Sequence, residues 1–232
     1  MESSTWGQDS RSLLWWAVKK GSENAALNIE KAERIQEVFS QLAAGVSEVR
    51  REFSSVAGAD VAYHGETAAA AVVLLEYPSL KLLETVSAPM EARIPYSPSF
   101  LGFREAPLIH YVVRRLSHEP DLVLVDGHGR AHPRLFGLAC HVGVMLNTPT
   151  VGVAKSLLAG REVEDRVVDE EGRALGYVLK REGKRPLYVS VGYKITLDDA
   201  FRVVQGCTIN SSPEPLKLAH QEANRLGATL QR

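Results

Sequence analysis

Between residues 22 and 52 the apolar positions Ala25, Leu27, Ile29, Ala32, Ile35, Val38, Phe39, Leu42, Ala43, Val46 and Val49 recur at intervals of three and four. That spacing predicts an amphipathic helix, with Gly45 as a point of interruption. The pattern then changes period. Residues 56–63, 69–76 and 80–87 read as strands, the last two joined by the turn Tyr77-Pro78-Ser79, and short links between consecutive strands predict an antiparallel meander. Helical spacing returns over residues 100–117. The run Leu122-Val123-Leu124-Val125 is apolar without alternation, which predicts a strand buried on both faces, as in the centre of an α/β sheet.

Beyond that strand, residues 133–147 read as a helix with Pro133 in its first turn, and Thr150-Val151-Gly152-Val153-Ala154-Lys155 as a short strand ending in a lysine. Residues 157–171 are charged and irregular and close on the turn Asp169-Glu170-Glu171-Gly172. Residues 174–181 and 186–191 form a hairpin hinged at Glu182-Gly183-Lys184. Thr196-Leu197-Asp198-Asp199 has the form of a capped helix start, running to about residue 205, and residues 216–230 make the final helix. The class is therefore α/β, with a mixed sheet of meander plus parallel strands flanked by helices.

A chain of 232 residues with 45% hydrophobic content and no repeat or linker fits one domain over residues 22–232. Residues 1–21 carry Trp6, Trp15 and Trp16 without periodicity, an N-terminal extension of unknown role. A net charge of -1 leaves no whole-molecule attraction for nucleic acid, so any basic surface is local. Cys140 and Cys207 have neither zinc nor disulfide-framework spacing and read as buried free thiols. The apolar run at residues 13–18 is too short to span a bilayer and lacks signal-peptide flanks, which points to a soluble, cytoplasmic protein with no membrane partner.

Three acids stand where acids are costly or pointed. Asp126 ends the central strand, where open α/β sheets bind ligands, and two glycines flank the histidine after it. Asp60 lies in mid-strand, where aspartate is disfavoured. Glu105 opens the helix at 100–117. If the first and fourth strands are neighbours, Asp60 and Asp126 come within reach of one ion; Glu105 joins them only if the loop before its helix turns inward. Oxygen-only ligation is what Mg²⁺ or Mn²⁺ prefers, and such an ion activates water against a phosphodiester. Blander readings stand beside each: an Asp-Gly turn for Asp126, an edge-strand solvated face for Asp60, a favourable helix-start charge for Glu105.

Lys155 ends the strand after Asp126 on the same side of the sheet, placed either to neutralise a phosphate oxygen or to extend into solvent. In Arg93-Ile94-Pro95-Tyr96-Ser97-Pro98-Ser99 two prolines restrict the backbone around Tyr96 and Ser97. A ring so held suits stacking on a base, or else packs back on the core. His128, His132 and His141 suggest a rival zinc site, but Gly129 and Pro133 prevent the one-helix-face arrangement of paired zinc histidines.

Taken together and in order, several motifs resemble one family. They are Ala57-Gly58-Ala59-Asp60-Val61, Leu75-Glu76-Tyr77-Pro78-Ser79, Pro95-Tyr96-Ser97-Pro98, Phe103-Arg104-Glu105, Val125-Asp126-Gly127-His128-Gly129, Ala131-His132-Pro133-Arg134, Val151-Gly152-Val153-Ala154-Lys155 and Pro213-Glu214-Pro215. The chain is similar to endonuclease V, the deoxyinosine 3′-endonuclease, over about residues 56–219.

The resemblance implies a ribonuclease H-like fold and a Mg²⁺-dependent endonuclease (Mn²⁺ substituting) in DNA repair. It implies cleavage of the second phosphodiester 3′ to the lesion, leaving 3′-hydroxyl and 5′-phosphate ends. It implies that Asp60, Glu105 and Asp126 carry the metal, with Lys155 in the catalytic set. It further implies that Pro95, Tyr96, Ser97 and Pro98 form a wedge beside the lesion, and that the turned-out base meets backbone around Gly127, Leu101 and Gly137 with His132 close by.

Two departures accompany the likeness. Ser190-Val191-Gly192-Tyr193 has tyrosine where many members have histidine, and Ser99 follows the wedge where glycine is common. The expected partner is deoxyinosine-containing DNA, bound by a monomer. An inosine-specific endoribonuclease using the same site is the alternative, and a lesion-binding protein with an inactive centre is a second.

Overall fold

The structure is a computed structural model and describes residues 27–44, 46, 52–65, 67–91, 93–97 and 99–230. Its central strand, β4 (Leu122–Asp126), has four fully buried residues, because its two faces serve two cores. Val123 and Val125 face one side with Phe39, Ile109, Val112, Phe136 and Val142; Leu122 and Leu124 face the other with Val151, Val153, Val203 and Leu216. That is why the run shows no alternation.

Among the described residues nine strands make one sheet. Before β4 come β1 (Ser55–His64), β2 (Thr67–Glu76) and β3 (Leu82–Glu91); after it come β5 (Thr150–Ala154), β6 (Arg161–Val163), β7 (Arg166–Val168), β8 (Ala174–Leu179) and β9 (Leu187–Tyr193). The order is β3-β2-β1-β4-β5-β9-β8-β7-β6. The first three strands are the antiparallel meander, and β1–β4 and β4–β5 are parallel pairs. Helices α1 (Ile29–Ala44), α2 (Leu101–Val113) and α3 (Leu138–Leu146) cover one face; α4 (Leu197–Cys207) and α5 (Glu214–Thr229) cover the other.

Small residues set how closely these layers approach. Ala62, Ala71 and Ala223 pack together between sheet and α5, and a Cβ on Gly58 would lie 2.2 Å from the Pro215 carbonyl carbon. Only glycine lets β1 meet the start of α5 this closely.

The described part of the first helix starts at Ile29, with Asn28 Oδ1 accepting from Lys31 N at 2.9 Å as its cap; residues 22–26, 45 and 47–51 lie outside the described residues, as does the extension at 1–21. Thr196 caps α4 as expected, its hydroxyl accepting from Asp199 N at 3.1 Å. Two expectations are corrected. Residues 157–171 contain the hairpin β6–β7, turned at Glu164. The helix expected from Pro133 starts at Leu138, because the Gly129 and His128 carbonyls first take up Gly137 N and Ala139 N, and Leu135 has φ +51°. No helix among the described residues is long and apolar enough to cross a membrane.

Candidate active site

Register decides where two of the acids stand. Ala59 pairs with Val125 across the parallel β1–β4 ladder, so Asp60 and Asp126 are the next residues on adjacent strands at the carboxyl end of β4. β1 has a neighbour on either side, which removes the reading of Asp60 as an edge-strand acid. Asp60 Oδ2 accepts from His220 Nδ1 at 2.7 Å, and Asp126 Oδ2 accepts from Lys155 Nζ at 2.6 Å. Lys155 is thus paired with the acid of the neighbouring strand.

Glu105 reaches the same sheet end from α2. The loop before this helix does turn inward: Arg104 Nη1 donates to Ile94 O at 2.7 Å, and Ile94, Phe100 and Phe103 pack on Ala32 of α1. Glu105 is buried as a result. Burial pushes its carboxyl up to about 8, the Tyr63 hydroxyl pulls it partly back, and the nearby charges of Asp60 and Asp126 raise it further. Arg104 lies over the Tyr63 ring, 4.1 Å from its centroid, and favours the Glu105 anion.

Glu105 feels the charge of both aspartates, but the three carboxyls do not form a closed ring of ligands. Among the described residues no three His, Cys, Asp or Glu side chains are gathered to enclose an ion as they lie; Asp60 and Asp126 turn to His220 and Lys155 instead. The donor chemistry nevertheless fits a hard divalent cation. A buried carboxyl held near 8 between two aspartates is a site where added positive charge is favourable, and all three donors are oxygens.

Against this cluster opens a cleft of about 320 Å³, lined by Tyr96, Ser97, Ser99, Leu101, Gly102, Gly127, His132 and Gly137, with Asp126 and Lys155 on its wall. Eight of the twelve residues singled out from the sequence therefore line one hollow: Tyr96, Ser97, Leu101, Asp126, Gly127, His132, Gly137 and Lys155. Asp60, Glu105 and Pro95 are not among its lining residues, Pro95 being exposed, and Pro98 lies outside the described residues. The Tyr96 ring is 69% exposed, so it does not pack back on the core. Asp126 and Lys155 also border a second hollow of about 140 Å³, with Ser212, Lys217 and His220.

The histidines do not gather. His128 Nε2 donates to Ser156 O at 2.8 Å, His132 Nε2 donates to Ser99 O at 2.9 Å, and His141 is buried between the rings of Phe103 and Phe136. Burial lowers all three, His132 to about 4 and His141 to about 3.

Residues 39–221 match the family model described as Endonuclease V. The chain belongs to the Endonuclease V family. It is 42% identical over 180 residues to the Endonuclease V of Ignicoccus hospitalis, covering 76% of this chain and 84% of that one. It is 39% identical over 200 residues to that of Thermofilum pendens, covering 83% and 86%. Among solved structures, human ENDOV superposes with TM-score 0.79 at 28% identity, covering 88% of this chain and all of that one. Ciona intestinalis Endonuclease V, in complex with a 24mer DNA containing an inosine followed by a ribo-adenosine, superposes with TM-score 0.76 at 27% identity, covering 87% and 98%. The mixed sheet flanked by helices is the ribonuclease H-like arrangement of this family.

Within this Endonuclease V-family frame, the departure at Tyr193 moves away from the site. Tyr193 pairs with Thr150, at the end of β5 opposite the acids. The histidine that touches an acid is His220 of α5. No spacing signalled it: it is one polar residue on an amphipathic helix, and only the packing of α5 on β1 brings it to Asp60.

Proposed function

We propose that this Endonuclease V-family chain is a metal-dependent endonuclease that recognises deoxyinosine in DNA. It hydrolyses the second phosphodiester 3′ to the lesion, leaving 3′-hydroxyl and 5′-phosphate ends, in DNA repair. One observation carries the reading: the cleft under the exposed Tyr96 shares Asp126 and Lys155 with the carboxylate cluster. A base held in that cleft leaves its own backbone beside the acids.

Unstacking a base costs a few kcal/mol, and Tyr96, projecting from a proline-flanked loop, is placed to fill the gap it leaves. Hypoxanthine has an oxo group and a ring N–H where adenine has an amine and a bare nitrogen. Leu101, Gly127 and Gly137 line the wall that this edge would meet, with neutral His132 beside them. Asp60, Glu105 and Asp126 would hold Mg²⁺ or Mn²⁺, which when bound polarises the phosphodiester and favours hydroxide over water. Lys155, beside Asp126, would offer its ammonium to a non-bridging phosphate oxygen. His220 holds Asp60 in orientation.

The test is a nicking assay on a deoxyinosine duplex and its undamaged counterpart, with Mg²⁺ or EDTA, mapping the product ends. Wild type should nick one bond beyond the lesion only with Mg²⁺, and Asp126→Ala should be inactive; full activity of that variant would sink the assignment. A second reading, an endoribonuclease for inosine in RNA, is favoured by the ribo-adenosine in the oligonucleotide bound by the Ciona relative. Matched DNA and RNA strands separate the two, since only the 2′-hydroxyl differs along the backbone.

A further inference from the structure

Gln36 of α1 is completely buried and lines neither hollow. Its Nε2 donates to Ser99 O at 2.8 Å and to Phe136 O at 3.4 Å, and its Oε1 accepts from Arg134 Nε at 2.6 Å. Carbonyls only accept and a guanidinium only donates, so these partners fix which way the amide points. Arg134 is also held by Glu33 of the same helix, Nη1 to Oε1 at 3.1 Å.

The same partners fix His132. Arg134 N donates to His132 Nδ1 at 3.2 Å, so the ring proton sits on Nε2, which donates to Ser99 O. One carbonyl, that of Ser99, thus receives Gln36 from α1 and His132 from the loop after β4. Ser99 has φ +66°, a conformation that costs an L-residue energy, and it links the Tyr96 loop to the helix bearing Glu105. The helix alone has no need of an amide here. Ala32, Phe39 and Ala43 are the other buried residues of α1, and an apolar side chain would continue their stripe without the cost of burying a polar group.

We propose that Gln36 is a positioning residue for base recognition: through Ser99 and Arg134 it holds the Tyr96 loop and His132 in one fixed relation. The base then meets a wall already set, and selectivity for the lesion depends on a residue that never touches it. The inference rests on the deoxyinosine reading above.

The experiment compares single-turnover nicking of a deoxyinosine duplex with nicking of the undamaged duplex in Mn²⁺, for wild type, Gln36→Met and Gln36→Glu. Methionine keeps length without hydrogen bonds; glutamate keeps the acceptor for Arg134 and loses the donor to Ser99. Both variants should lose about tenfold on deoxyinosine, the worth of one or two hydrogen bonds, while undamaged nicking stays level and the selectivity ratio falls. A proportional loss on both substrates, or an unchanged ratio, overturns the proposal. If Gln36→Met fails to fold, Gln36→Glu decides; if it too fails to fold, the residue is structural and the proposal is overturned. A wild type that does not nick deoxyinosine at all sinks the parent reading instead.

Discussion

His220 Nδ1 lies 2.7 Å from Asp60 Oδ2, joining the last helix to the first strand across 160 residues of chain. Asn224, one turn further along α5, donates Nδ2 to the His220 carbonyl at 2.8 Å. An imidazole so placed fixes the rotamer of the carboxylate it touches. His220→Ala should therefore lower the nicking rate on a deoxyinosine duplex by roughly 10- to 100-fold, the usual loss when the partner of a ligating group is removed. DNA binding in EDTA should stay at the wild-type level. Weakened binding with an unchanged rate would place His220 at the DNA instead.

Acid should destabilise the protein through His141. Its ring is 1% exposed and burial lowers it to about 3, while the unfolded chain titrates near the ordinary histidine value of about 6.5. Between those limits the unfolded state binds a proton that the folded state refuses, so stability falls as pH drops. The slope from this group approaches roughly 1.4 kcal/mol per pH unit. His132, lowered to about 4, acts in the same direction over a narrower window. Denaturant unfolding of His141→Gln from pH 7 to 4 should show a shallower acid limb than wild type; parallel limbs would exclude His141 as a source.

The sheet centre and the two aspartates were legible in the sequence because each follows from local pattern. Four unalternating apolar residues require two buried faces, and short links require a meander, which together put Asp60 beside Asp126. Glu105 was not legible from geometry, since its burial depends on the Arg104 bond to Ile94 O and on aromatic packing against Ala32 of α1. The β6–β7 hairpin was missed for another reason. All three residues of β6 are exposed, so Arg161, Glu162 and Val163 show no alternation for a reader to find. His220 meets Asp60, and Gln36 meets Ser99 and Arg134, only through tertiary contacts that no local periodicity predicts.

Gly152 makes a further prediction about how the Asp126 loop is held. A Cβ there would lie 2.4 Å from Gly129 N and 2.6 Å from Gly127 O, both main-chain atoms that cannot swing aside. Gly152→Ala should destabilise the fold by about 2 kcal/mol or more, since overpacking against backbone forces it to shift. Because the displaced loop follows directly on Asp126, activity should fall beyond what the loss of folded protein explains. Chemical denaturation alongside activity per folded molecule measures both effects.

The last prediction concerns Tyr96, whose ring is exposed in a loop tied down by buried Ile94 on one side and by Ser99 on the other. If the ring offsets the loss of base stacking, its worth depends on there being a stack to break. In a duplex, extrusion of the lesion costs a few kcal/mol, and base–aromatic stacking is worth about 1–3 kcal/mol, so Tyr96→Ala should cut duplex nicking by roughly 10- to 100-fold. In a single strand most of that stack is already absent, and the same variant should lose little. Tyr96→Phe keeps the π face and should retain duplex activity, which separates stacking from any hydrogen bond of the hydroxyl. Equal losses on duplex and single strand would show that the ring contacts the strand generally rather than filling the space left by the base.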